Sequence, residues 1–127
     1  MIQIATTIEQ SKKLLELGLS PETADMNYYH DRKDDYYIKV PMVGKPFNND
    51  DIPCWSVGVL LEVMPKMIID KDDCIYSFGL FYLPFKEQWC SCYKGDGFPI
   101  VEYESNNVLE ACYNMMVWLL ENNYIKG

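Results

Sequence analysis

Three runs decide the fold: Cys74-Ile75-Tyr76-Ser77-Phe78-Gly79-Leu80-Phe81-Tyr82-Leu83, then Gln88-Trp89-Cys90-Ser91-Cys92-Tyr93, then Ile100-Val101-Glu102-Tyr103-Glu104. The first is rich in β-branched and aromatic residues, the second follows it across a short turn and the third alternates, so each reads as a strand. The links between them are short. Pro84-Phe85-Lys86 turns the chain, and Lys94-Gly95-Asp96-Gly97 carries an Asp-Gly hairpin pair. Strands joined this way pair antiparallel. A doubly wound parallel sheet needs helical crossovers, for which there is no room. Gly79 suggests a bulge or a close backbone approach.

Outward from this core, the C-terminal helix has Asn106 or Asn107 as its cap and Glu110 three residues beyond Asn107. Val108, Ala111, Cys112, Met115 and Leu119 fall on one side of it, and Met116, Trp118 and Leu120 widen the stripe. A first helix is expected over about 7–17. Thr6 or Thr7 caps it, Glu9 or Gln10 answers three residues on, and Gly18 accepts the left-handed turn at its end. Ser20-Pro21-Glu22 begins a further turn or two. Tyr36 to Val40 alternates as a strand, and residues 41–54 form the longest punctuated loop. Ser56 caps a second helix over about 57–64, with Trp55 and Leu60 at the two positions of a hydrophobic staple. That helix is apolar nearly all round, which predicts burial, and Pro65 stops it. The order is helix, strand, helix, three strands, helix. The expected fold is a single α+β domain over 1–127: a small antiparallel sheet of three to four strands with helices packed on one face.

At 127 residues the chain is long enough to bury a real core without metal or staples. Its net charge is −8, and Arg32 is the only arginine. A phosphate-tracking surface needs clustered Lys and Arg, so nucleic-acid binding is disfavoured. The acidity serves solubility first; a DNA mimic would need carboxylates lined up at near-phosphate spacing. No apolar run is long enough to span a bilayer. The N-terminus shows no basic segment followed by an apolar one, so no secretory signal is expected. Five cysteines are an odd number without disulfide-framework spacing, and free thiols in a reducing cytoplasm are the simplest reading.

Motifs for chemistry are sparse. His30 is the only histidine, so any general acid–base histidine is this one, and a solvent-exposed loop histidine is the plainer expectation. Cys90-Ser91-Cys92 puts two thiols on one strand face, too few for a zinc site, while Cys74 and Cys112 read as small core residues. Counting a calcium loop from Asp70 puts Cys74, Ile75 and Phe81 at positions five, six and twelve, so it fails. Asp34-Asp35, Asp50-Asp51 and the cluster Asp70, Asp72 and Asp73 read as solvated turns. Gly95-x-Gly97 lacks the rest of a phosphate loop. No cofactor and no metal are expected.

The aromatics are more telling: ten Tyr, five Phe and three Trp, crowded around the hairpin. Alternation sets Tyr76, Phe78, Leu80 and Tyr82 on one face and Ile75, Ser77, Gly79, Phe81 and Leu83 on the other. Neither face is polar enough for comfortable solvation. An exposed aromatic patch marks a protein or homodimer interface, for which Tyr76, Phe78, Tyr82, Trp89 and Tyr93 are the candidates. The competing expectation is that loop 41–54 or the first helix covers these rings. Two functions follow. The leading one is a non-catalytic protein-interaction module, with a protein partner or a second copy. The alternative is a small-ligand binder or enzyme with a pocket lined by Tyr36, Trp55 and His30.

Two stretches carry a family resemblance. One is Ile4 to Gly18 continued by Ser20-Pro21-Glu22-Thr23-Ala24-Asp25-Met26. The other is Ile52-Pro53-Cys54-Trp55-Ser56 leading into Leu60-Leu61-Glu62-Val63-Met64-Pro65. With Ala111-Cys112-Tyr113 and Trp118-Leu119-Leu120, they resemble small proteins of gut-bacterial phages and prophages. The resemblance covers about half the chain and carries no assigned activity or site residue. It implies an accessory binder rather than an enzyme.

Overall fold

The computed structural model describes residues 3–125, which form three α-helices and nine strands. Helix α1 spans Ile8–Glu16 and starts on a full capping box: Thr7 Oγ1 accepts from Gln10 N, and the Gln10 side chain accepts from Thr7 N. A single 3-10 turn, Pro21–Thr23, follows. Then come four short strands, β1 (Met26–Tyr28), β2 (His30–Asp31), β3 (Tyr36–Tyr37) and β4 (Met42–Val43), and β5 (Ile52–Cys54). Helix α2 is Val57–Val63 and β6 is Met67–Ile69. The main strands are β7 (Ile75–Leu83), β8 (Gln88–Lys94) and β9 (Pro99–Ser105), and helix α3 (Val108–Glu121) ends the fold.

The main sheet has four antiparallel strands in the order β6-β7-β8-β9. Two smaller antiparallel sheets, β4-β1-β5 and β2-β3, lie outside it. The architecture is therefore α+β with small antiparallel sheets. The loop expected over 41–54 contains β4 and its far end is β5, both paired to β1. The strand expected over Tyr36–Val40 is paired only at Tyr36 and Tyr37. Strand β6 extends the main sheet to four. The expected bulge at Gly79 is absent, because β7 and β8 stay in register through the Gly79–Cys92 pair. The irregularity falls instead between Tyr93 and Lys94, against β9. The close backbone approach expected there is not seen either: a Cβ at Gly79 would meet side chains at ordinary contact distance, Cys92 Sγ at 3.5 Å and the Phe81 ring at 3.7 Å.

The larger core forms between the main sheet and the helices. Leu109, Cys112, Met115, Met116, Leu119 and Leu120 of α3 are buried against Tyr76 and Tyr93, with Leu14 of α1 and Leu60 of α2 in the same cluster. A hydrogen bond fastens helix to sheet at the centre: Ser91 Oγ donates to the Ala111 carbonyl at 2.7 Å. Tyr93 Oη donates to the Pro65 carbonyl at 2.7 Å, so the one polar atom of this buried ring is satisfied. Helix α2 is less enclosed than its composition predicts. Leu60 is its only fully buried residue, and Glu62 and Gly58 face outward. A second, smaller core holds Ala5, Met26, Tyr28, Ile52 and Cys54.

Asp51 departs most from its expected place in a solvated turn. It is buried, and its carboxylate accepts from His30 N (2.9 Å), Phe47 N (2.7 Å) and Asn48 N (2.9 Å). Burial pushes its pKa up, but these three N–H groups and the nearby His30 hold it below the ordinary carboxylate range. One side chain thus ties the loop before β5 to the β2–β3 hairpin. Replacing Asp51 with alanine should cost about 2 kcal/mol, because it strands three backbone donors. Asp51→Asn keeps one acceptor oxygen and should recover part of that. Urea unfolding checks both; unchanged midpoints would show that the loop is held by other contacts.

Candidate functional site

The four-stranded sheet has one face under helix and one face free. On the helix side lie Tyr76, Phe78 and Leu80 of β7, Ser91 and Tyr93 of β8, and Val101 and Tyr103 of β9. The pairing register assigns the opposite face: Met67 and Ile69 of β6, Ile75, Ser77, Gly79, Phe81 and Leu83 of β7, Cys90, Cys92 and Lys94 of β8, and Glu102 and Glu104 of β9. Met67 and Ile69 are each 53% exposed, Ile75 is 55% and Phe81 is 43%. At the β7–β8 turn Phe85 is fully exposed. A groove of about 340 Å³ runs beneath this turn, lined by Phe81, Leu83, Phe85, Cys90, Glu102 and Glu104. Lys86 closes its rim by an ion pair with Glu104 at 3.0 Å.

The five aromatic candidates divide. Tyr76 and Tyr93 are buried in the helix–sheet core and Phe78 packs against it, its ring 5.4 Å from that of Tyr93. None of these three presents a docking surface, because α3 covers this face of the sheet. Helix α1 adds Leu14 to the same cluster, whereas loop 41–54 contributes no residue to it. Tyr82 and Trp89 sit at the end of the same face, their rings edge to face at 5.3 Å, with Tyr82 exposed and Trp89 half-buried. The residues passed over are those of the other face: Ile75 and Phe81, with Met67, Ile69 and Phe85. Charge alternation was the available signal, since Lys94, Glu102 and Glu104 all point away from α3.

Tyr36, Trp55 and His30 do not converge. Trp55 is wholly buried in the main core, and its Nε1 donates to Thr23 Oγ1 at 2.9 Å. Tyr36 is exposed on β3. His30 lies on the neighbouring β2, its Nε2 3.1 Å from Asp35 Oδ1 and its Nδ1 buried without a hydrogen-bond partner. Among the described residues no serine or cysteine is hydrogen-bonded to this imidazole. None of the four cavities described is lined by any of the three residues.

The thiols are placed for packing. All five cysteines are free; Cys54, Cys90, Cys92 and Cys112 are buried, whereas Cys74, expected in the core, is exposed at the turn before β7. Cys90 forms part of the groove floor. Burial, with the charges of Cys92, Glu102 and Glu104, pushes its thiol up to about 11, the opposite of what a thiolate nucleophile needs. Among the described residues no three His, Cys, Asp or Glu side chains are grouped to hold a metal ion. No helix of the described residues is long and apolar enough to cross a membrane. The free sheet face thus offers an apolar contact surface with a margin of mixed charge, Lys86 and Lys94 beside Glu102 and Glu104.

No family model, no curated protein and no solved structure matches this chain.

Proposed function

We propose that this chain is a non-catalytic protein-interaction module that docks through the helix-free face of its main sheet. The observation that carries this reading is the exposed set Met67, Ile69, Ile75 and Phe81, with Phe85 projecting beside them. Exposed apolar side chains gathered on one sheet face are costly to leave in water and mark an interaction site. A protein suits this surface better than a nucleic acid, because its two lysines, Lys86 and Lys94, are offset by Glu102 and Glu104 and the chain carries −8 overall. The proposal sets the module in the cytoplasm, where five free thiols persist, and among accessory proteins of phages and prophages, on the sequence resemblance. A ligand-binding or enzymatic role around Tyr36, Trp55 and His30 has less support, since those residues line none of the four cavities described.

The test is capture from lysate at low and moderate salt, with wild type and Phe81→Asp as parallel baits. The expected result is a stoichiometric protein retained by wild type and lost with the variant. A retained protein indifferent to Phe81→Asp would move the docking site elsewhere on the molecule.

A further inference from the structure

We propose that the outer edge of β9 takes up an extended, basic segment of a partner protein as an added strand of the main sheet. The edge is a surface separate from the helix-free face, and the two are tested by different variants.

The main sheet ends on β6 at one side and on β9 at the other. Strand β6 has three residues, and the strands of the two smaller sheets have two or three each. Strand β9 has seven, Pro99–Ser105, and pairs with β8 alone. Every second residue of such a strand turns its N–H and C=O away from its one neighbour. Among the described residues no backbone group outside β8 hydrogen-bonds to Ile100, Val101, Glu102, Tyr103 or Glu104. A long edge of unpaired main-chain groups is a template for a further strand, and the added main-chain bonds supply the affinity of such a contact.

The side chains along the edge say what that strand must carry. Glu102 and Glu104 lie on the helix-free side, while Val101 and Tyr103 pack against the margin of the main core. An incoming strand therefore meets carboxylates on one side and apolar surface on the other. Basic residues at alternate positions, with apolar residues between them, match both. Glu104 is already paired with Lys86, but Glu102 has no ion pair among the described residues. A third carboxylate lies on the helix side. Burial, and then the charge of Glu121, raises the phenols of Tyr103 on β9 and Tyr113 on α3, so Glu121 sits beside the same edge. No lysine or arginine occurs from Gly95 to Ile125, a run that holds Asp96, Glu102, Glu104, Glu110 and Glu121.

These charges also exclude other occupants. A second β9 paired antiparallel on the edge would set Glu102 and Glu104 in one like-charged row. A nucleic acid or an anionic lipid surface is repelled by the same carboxylates. A basic strand satisfies the backbone and the side chains together. The exposed acids set its approach and register more than its affinity.

Amide NMR of the full chain, titrated with a capped heptapeptide that alternates lysine and valine, reads the outcome. With up to about 1 mM peptide, shifts should centre on Ile100 to Glu104, and the outward amides of β9 should exchange with solvent more slowly. Two N-methylated forms of the peptide, one methylated at the lysines and one at the valines, keep its charge. The form whose methyl groups face the edge should bind at least about tenfold more weakly than the other. A heptapeptide with glutamate in place of lysine should leave the spectrum unchanged. Glu102→Lys alters an exposed side chain, so it should fold normally and weaken binding of the lysine peptide at least about tenfold. Phe81→Asp, on the helix-free face, should leave that binding unchanged. Absence of shifts along β9 overturns the proposal. So does equal affinity of the two methylated forms, which would mean diffuse charge attraction, or binding indifferent to Glu102→Lys. Binding lost with Phe81→Asp and kept with Glu102→Lys also overturns the edge, and it places the peptide on the helix-free face instead.

Discussion

Replacing Trp55 with alanine is expected to destabilise the fold by about 3–5 kcal/mol, close to the whole stability of a marginal domain of this size. The indole is fully buried between the helices, and three hydrogen bonds hold the residue at the join of the two cores. Its backbone N–H donates to Thr6 Oγ1 at 3.0 Å, its carbonyl accepts from Thr6 N at 2.9 Å, and its Nε1 donates to Thr23 Oγ1 at 2.9 Å. The backbone bonds survive substitution; the volume and the indole bond do not. Trp55→Phe fills most of the space and leaves only the Thr23 hydroxyl without its donor, so it should cost about 1–2 kcal/mol. Chemical denaturation read by far-UV dichroism, which does not depend on the removed fluorophore, compares the two. Equal losses for the two variants would show that the indole bond, rather than packing, dominates.

The Trp55 prediction was half legible in the sequence. The staple spacing of Trp55 and Leu60 around Ser56 was readable, and both residues are fully buried in one cluster. Their depth was not, because it comes from α1 and α3, which approach from distant parts of the chain. The same division runs through the fold. α1, α2, α3 and β7 to β9 carry local marks: caps, a helical stripe, alternation, an Asp-Gly turn. Strands β1, β4, β5 and β6 are two or three residues long, too short for alternation to register. Moreover β1 pairs with β5 across the whole intervening loop, a contact that no local pattern announces. Asp51 was taken for a solvated turn residue because adjacent acids usually are; three backbone donors converging from two segments are visible only in the folded chain. At the candidate site, alternation separated the two faces of β7 correctly. Counting aromatic rings then pointed to the face that packs against α3. Tyr76, Phe78 and Tyr93 are the better filling for a helix–sheet core, so α3 takes that face. The free face is the one with Lys94, Glu102 and Glu104 among its apolar residues.

Alkaline pH is expected to unfold this protein well before it would an average domain. Burial raises the thiol of Cys54 to about 12, with the charge of Asp25 adding to it. It raises Cys112 to about 11 unaided, and Cys90 to about 11 with help from Cys92, Glu102 and Glu104. The phenol of Tyr28 is pushed up to about 12 by burial and by Cys54, and that of Tyr93 is raised by burial. Each group is neutral in the native state and anionic only above its raised value. The unfolded chain gives up the thiol protons near pH 9, the ordinary value, and the tyrosine protons near 10. Above pH 9 the native state therefore binds more protons than the unfolded one, and unfolding becomes easier with every further unit. The stabilisation is complete below pH 9 and is lost as pH rises toward 11 and 12. With about 1.4 kcal/mol per unit for each fully shifted group, the combined loss by pH 11 is on the order of several kcal/mol, enough to empty the native state. Asp51 acts in the opposite direction: its lowered pKa gives stability above the ordinary carboxylate range that disappears in acid. Urea midpoints measured in reductant from neutral pH upward should stay level to about pH 9 and then fall steeply. Cys112→Ala, whose thiol has no charged neighbour to confound it, should lower the plateau and flatten the fall. A midpoint that holds level through pH 11 would mean that water reaches these thiols in the folded chain.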